Sequence, residues 1–265
     1  MPYQTNAQTI ESFHLLFLQV LTARGHDSFV LKGGANLRYF FDSIRYSNDI
    51  DFDFVGRDSE ALERAVDGVL NGKPLSLLLR RATVEVVSIA KSKQTATTRR
   101  WKVGLRRSDM RDGESIPTKI EFSSRPGSSD DVLVTRVPDV IVSPYGHMAP
   151  TLRHYGEIAA IEQKMWALAD RSETKARDVF DLELLFRRRV ASGLPVPGLS
   201  TEHSAKAADR ATELSYESYR SEVVPFLDPD VAEIFGSEEA WEQIRGYVID
   251  RLLEVTKGNE EGSTS

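Results

Sequence analysis

A chain of 265 residues is long enough for one large domain or two ordinary ones, and its 40% hydrophobic and 28% charged content suits a globular chain in water. No run approaches the roughly 18 apolar residues of a membrane span, the opening Met-Pro-Tyr-Gln-Thr-Asn lacks a signal peptide's basic start and apolar core, and the absence of cysteine excludes disulfides and thiolate metal sites. These features lead to an expectation of a cytoplasmic protein with no membrane partner, and the net charge of −6 excludes a uniformly basic nucleic-acid binder.

In chain order, residues 7–24 are predicted as an amphipathic helix, with Ile10, Phe13, Leu16, Phe17, Val20 and Leu21 at helical spacing and Gly25 as terminator. Residues 28–32 read as a short buried strand ending at the pair Gly33-Gly34. A helix over 35–42 follows, and then a strand over 48–55. A helix over 58–71, capped by Asp58 or Ser59, is expected to stop near Gly72-Lys-Pro74. Three strand-like segments come next, near 82–91, 97–106 and 117–123, with a turn signal at Asp112-Gly113. The character changes near Pro144–Pro150. Helical patterns then occupy 156–170, 174–191, 203–223 and 237–256, the second and third separated by Gly193-Leu-Pro-Val-Pro-Gly198. The expected fold class is α+β: a mixed sheet flanked by helices over 1–150, a helical bundle over 151–256, and a polar, disordered tail over 257–265.

The densest chemistry lies in Phe29-Val-Leu-Lys-Gly-Gly-Ala-Asn-Leu37 and Arg45-Tyr-Ser-Asn-Asp-Ile-Asp-Phe-Asp-Phe54. Strand residues two apart point the same way, so Asp49, Asp51 and Asp53 share one face and Ile50, Phe52 and Phe54 the other. Carboxylates this close repel unless a cation lies between them, which makes Asp49 and Asp51 candidate metal ligands. Gly33 and Gly34 allow backbone N–H groups to approach a phosphate. Lys32 and Ser47 flank them, Ser47 on the strand face of Asp49. Between Arg80 and Arg107 nine Lys/Arg stand against one acid, Glu85; Arg99, Arg100 and Lys102 are the candidate contacts to RNA phosphates. Lys164 borders the apolar stripe of its helix, and Arg177, Asp178 and Asp181 share one helical surface. His14, His26, His147, His154 and His203 show no metal spacing, and no Walker, Gly-x-Gly-x-x-Gly or Gly-x-Ser-x-Gly motif is present.

The string Leu-Lys-Gly-Gly-x-x-Leu followed by Arg-x-Ser-x-Asp-Ile-Asp resembles the nucleotidyltransferase superfamily, and within it the AbiEii/MenT branch of toxins. Glu157-Ile-Ala-Ala-Ile-Glu-Gln-Lys-Met-Trp-Ala-Leu168, then Arg171 and Lys175-Ala-Arg-Asp-Val-Phe-Asp181, agrees with that branch's lysine-bearing helix and its basic-x-(Lys/Arg)-Asp-x-x-Asp pattern. The resemblance covers roughly residues 10–190. Where the branch carries Thr or Ser after the glycines, this chain has Ala35. The resemblance implies a nucleotidyltransferase-type sheet with the active site in a cleft against the helical part. It implies Mg²⁺ (or Mn²⁺) on Asp49 and Asp51, with Glu121 as a third carboxylate. Lys164 would act as a catalytic cation for the triphosphate of an NTP, with Asp178 in support and Arg177 and Asp181 at the nucleotide. It further implies transfer of NMP to the tRNA 3′ end and a cognate antitoxin. A small-molecule, antibiotic-type nucleotidyltransferase and a non-catalytic binding protein of the same fold remain open at this point.

Overall fold

The structure is a computed structural model that describes residues 5–23, 28–54, 59–95, 97–124, 131–196 and 201–261, with side chains to residue 254. The chain divides into two compact units, Met1–Asp42 with Tyr46–Tyr155, and Ser43–Arg45 with Gly156–Ser265. No described helix is long and apolar enough to cross a membrane.

The first unit holds a seven-stranded mixed sheet in the order β3-β4-β5-β2-β1-β7-β6. Its strands are β1 (Phe29–Lys32), β2 (Asp49–Phe54), β3 (Val84–Gln94), β4 (Thr98–Arg107), β5 (Ile116–Ser123), β6 (Val132–Arg136) and β7 (Thr151–Tyr155). β2 lies antiparallel to β1 and parallel to β5, and β7 is the parallel neighbour of β1. The first unit therefore runs to Tyr155, because β7 completes the sheet rather than opening the helical part. Neither β6 nor β7 was expected from the sequence, since each has only five residues between turn-rich segments.

Alternation along the central strands builds the core. Ile50, Phe52, Ile120 and Phe122 are fully buried. Phe52 stacks on Phe122 with centroids 4.6 Å apart, and Phe29 meets Phe52 edge-on at 5.2 Å. α1 (Asn6–Thr22), α3 (Ser59–Leu70) and α4 (Lys73–Arg81) bury most of their large apolar residues in the same core. Thr5 and Gln8 form a reciprocal capping box that starts α1. The proposed terminator Gly25 and the proposed cap Asp58 lie outside the described residues. α3 stops before Gly72 as expected, but a further helix, α4, begins at once: Pro74 sits in its first turn, where a missing N–H costs nothing, and Leu75 and Leu79 are buried one turn apart.

α1 was expected to be amphipathic, yet it is buried on almost every side. Its polar residues survive there because each has a partner. Glu11 accepts from Arg38 at 2.8 Å and from Tyr145 at 2.7 Å, and Ser12 lies 2.8 Å from His147. His14 Nε2 lies 2.8 Å from Thr118 Oγ1, whose hydroxyl donates to the Asn48 carbonyl at 2.7 Å. With that proton committed, His14 must donate its own Nε2–H to Thr118.

The second unit contains α6 (Glu157–Asp170), α7 (Ala176–Ala191), α8 (Thr201–Thr212), α9 (Tyr216–Glu222), α10 (Pro229–Phe235) and α11 (Glu238–Glu261); the short α5 (Asp139–Val142) belongs to the first. The single helix expected over 203–223 is two, because Ser215 caps a new helix by accepting from Ser218 N. α10 was missed; Pro229 occupies its first turn. α11 continues to Glu261, into the stretch expected as a tail, because a polar sequence can extend a helix once a packed segment has nucleated it. Tyr219 stacks on Trp241 at 4.8 Å in this unit's core.

His14 generates a pH dependence. Burial lowers its pKa from 6.5 to about 3, so it is neutral in the fold, whereas the unfolded histidine takes up a proton below 6.5. Its contribution is whole above pH 6.5 and is lost as pH falls towards 3. Wild type should therefore lose about 2 kcal/mol more than His14→Gln between pH 7.5 and pH 5. Urea titrations of both proteins at the two pH values check this; parallel losses would contradict it.

Candidate active site

One face of the sheet gathers most of the residues singled out in the sequence. Register places Asp49 opposite Lys119, Asp51 opposite Glu121 and Asp53 opposite Ser123, with Lys32 on the other side of Asp51. On β4, Arg100 faces Glu121 and Lys102 faces Lys119, and Lys93 of β3 faces Arg100. All these side chains leave the sheet opposite the aromatic core.

Each carboxylate on this face has its own environment. Asp49 Oδ2 is 2.6 Å from Lys119 Nζ. Asp53 is ion-paired with Lys32 and accepts from Ser123 at 3.0 Å and from Tyr155 at 2.9 Å, while Lys32 also donates to Ser123 at 2.7 Å. That enclosure makes Asp53 a structural anchor for Lys32. Glu121, expected as a third metal ligand, is 2.5 Å from Arg100. Among the described residues no group of three or more His, Asp or Glu side chains gathers as a metal cluster, so Glu121 does not join Asp49 and Asp51 in one. The two aspartates nonetheless suit Mg²⁺, which takes one or two protein carboxylates and completes its octahedron with water and phosphate oxygens.

Gly33 opens α2 (Gly33–Phe40) with φ +70°, and a Cβ there would lie 3.2 Å from Asp51 Oδ2. The positive φ favours glycine at this position, and the nearby carboxylate leaves a Cβ little room. Gly34 follows in the first helical turn. Ser47 donates its hydroxyl to the Asp49 carbonyl at 2.8 Å, so its proton serves the start of the strand.

The basic stretch is sorted by strand alternation. Arg99 points to the opposite face, 3.1 Å from Ser59 Oγ and 3.6 Å from Glu63, and is not brought together with Arg100 and Lys102. Lys91 pairs with Glu63 and Asp67, Arg106 with Glu85 and Asp112, and Arg107 with Asp109. The local excess of positive charge in the sequence is thus largely compensated in space. Lys93 and Lys102 remain exposed, with no ion pair among the described residues, on the carboxylate face.

The second unit contributes a separate buried charge cluster. Lys164 reaches Asp178 at 2.9 Å and Asp181 at 2.6 Å. Arg171 holds the other oxygen of Asp178 at 2.6 Å, and Arg45 grips both oxygens of Asp181 at 3.0 Å. Burial pushes the Asp181 carboxyl up, but Arg45 and Lys164 outweigh it and hold the group below its ordinary value. Arg177 has no ion pair with a described acid and stands outside this cluster. Arg45 and Arg171 appear in the motif strings, but sequence reading assigned them no role. Arg45 lies 136 positions from Asp181, beyond any local pattern.

Two substitutions test this geometry. Gly33→Ala should destabilise the protein by about 1–2 kcal/mol, read as a lowered melting temperature, because alanine resists positive φ. Asp181→Asn should cost about 3–5 kcal/mol by leaving Arg45 buried without a full counter-charge. The wild-type contribution of Asp181 is present above the ordinary carboxylate pKa and is lost as pH falls through its depressed value. Chemical denaturation of the variant near neutral pH reads the loss; a change under 1 kcal/mol would contradict the buried-pair account.

The fold has solved relatives. A nucleotidyltransferase candidate from Helicobacter pylori superimposes with a TM-score of 0.62 at 21% identity, covering 97% of this chain and 98% of that one. JHP933 from Helicobacter pylori gives 0.61 at 18% identity, covering 98% and 97%. MenT4, a nucleotidyltransferase toxin from Mycobacterium tuberculosis, gives 0.57 at 18% identity, covering 94% and 85%. No curated protein matches the chain. The profile of the AbiEii nucleotidyl transferase toxins, described as a type IV toxin–antitoxin system, matches residues 15–251. With that match spanning nearly the whole sequence, the chain belongs to the AbiEii nucleotidyl transferase toxin family.

Proposed function

We propose that the protein transfers a nucleoside monophosphate from an NTP to an RNA acceptor, the tRNA 3′ end on the family resemblance, with Mg²⁺ or Mn²⁺ as cofactor and release of pyrophosphate. As a toxin it would be opposed by a cognate antitoxin. One observation carries the reading: Asp49 and Asp51 share a sheet face with the Gly33 turn and with the exposed lysines Lys93 and Lys102. Asp49 and Asp51 would hold the metal, which when bound lowers the pKa of the acceptor hydroxyl and neutralises charge on the departing pyrophosphate. Gly33 and Gly34 leave room for phosphate oxygens beside the first N–H groups of α2. Lys164, fixed by Asp178 and Asp181, offers an ammonium in a single geometry for the triphosphate. The acceptor oxygen bonds the α-phosphorus, the bond from the α-phosphorus to the pyrophosphate oxygen breaks, and the hydroxyl proton passes to water. Lys93 and Lys102 suit a polyanionic acceptor better than a small neutral one.

Incubation with each α-labelled NTP, Mg²⁺ and either total RNA or an aminoglycoside tests the reading. Label should enter RNA. Asp49→Asn and Asp51→Asn should each lower incorporation more than about a hundredfold. Replacing Lys93 and Lys102 together by Glu should weaken RNA binding and flatten its salt dependence by about one unit of slope per lysine, while Arg99→Glu should do less. Label on the aminoglycoside alone would favour the small-molecule enzyme. No label on either acceptor, with RNA still bound, would favour the non-catalytic protein.

A further inference from the structure

The cations on the carboxylate face are not held equally. Lys32 is enclosed by Asp53 and Ser123, with its side chain only 13% exposed. Lys119 has a single ion pair among the described residues, to Asp49 Oδ2 at 2.6 Å, and is 41% exposed at the end of a flexible four-carbon stem. A divalent ion and an ammonium cannot share one carboxylate oxygen at that range without strong like-charge repulsion. Lys102 stands in register beside Lys119 on the neighbouring strand, so an ammonium leaving Asp49 meets another positive charge on that side. An anion is then the partner that would stabilise it.

We propose that Lys119 is an exchangeable counter-cation, which occupies Asp49 until a divalent ion displaces it and then turns to the phosphates of the substrate. The proposal rests on the metal reading above and adds a residue that couples metal binding to anion binding. It assigns to Lys119 a positioning role that neither the motif strings nor the local charge count marks.

The test uses Mn²⁺ as the metal probe and inorganic tripolyphosphate as the anion probe, both followed by calorimetry on the full chain. Lys119→Met should bind Mn²⁺ at least about fivefold more tightly than wild type, because the competing ion pair is gone. Lys102→Met removes the same charge one strand away without breaking that pair, and should tighten Mn²⁺ binding by less than about twofold. With Mn²⁺ saturating, Lys119→Met should bind tripolyphosphate at least about fivefold more weakly than wild type. Unchanged Mn²⁺ affinity in Lys119→Met, or equal tightening in Lys102→Met, would overturn the exchange. Unchanged tripolyphosphate affinity would overturn the transfer to substrate. Asp49→Asn separates this from the parent reading: loss of Mn²⁺ binding there keeps the carboxylate site, whereas wild-type binding would remove the metal site and the exchange with it.

Discussion

Strand β2 depends on a two-residue period that cannot be relaxed. Ile50 and Phe52 are buried, Phe52 against Phe29 and Phe122, and their burial drives Asp49, Asp51 and Asp53 to the opposite face whatever those carboxylates cost one another. A slip of one residue would bury three acids and expose the aromatic stack, so the register is strongly specified. The repulsion is then reduced locally. Lys119 answers Asp49, Lys32 answers Asp53, and Arg100 answers Glu121. Lys93 and Lys102 lie on the same face, so its four carboxylates stand among five cations, and Asp51 lies beside the Gly33 turn.

The helical unit holds a second charge cluster. Arg45, Lys164 and Arg171 surround two aspartates, leaving one positive charge over in a largely buried setting. Asp178 and Asp181 are almost without solvent exposure, so each carboxylate needs a cation partner in low dielectric. Such clusters add little net stability, but they hold their members in one geometry. Here the member so held is an ammonium, tied by two carboxylates from successive turns of α7. Flexibility in Lys119 and fixity in Lys164 therefore follow from burial and partner number rather than from residue type.

Much of this was legible in the sequence wherever the signal is local. The glycine pair, the alternating aspartates and the longer helices are periodic features within a few residues, and they appear in the structure close to where the pattern puts them. Short elements were missed because five-residue strands and proline-started helices carry little periodicity: β6, β7, α4 and α10 are of this kind. Charge was misread for a different reason. Counting Lys and Arg between 80 and 107 ignores acids supplied by other elements, and Glu63, Asp67, Asp109, Asp112 and Glu121 neutralise much of the run. Arg99 and Arg100 are adjacent in sequence yet serve opposite faces of the sheet. Arg45 and Asp181 meet only through the fold.

Ala35 can be judged by the same physical test. It stands where the AbiEii branch carries a hydroxyl residue, and the absent hydroxyl would matter most if the side chain faced a phosphate. Its side chain is instead 1% exposed and belongs to the apolar core cluster. A hydroxyl at that position would be buried, and a buried hydroxyl in a helix's first turns bonds most readily to nearby backbone. Alanine therefore exchanges a backbone-directed hydrogen bond for apolar packing. On the function proposed above, contact with phosphate falls to the N–H groups at the start of α2, where Lys32 gives no side-chain cap and intrahelical partners are lacking. Those donors belong to the backbone, and the replacement of a hydroxyl by a methyl leaves them in place.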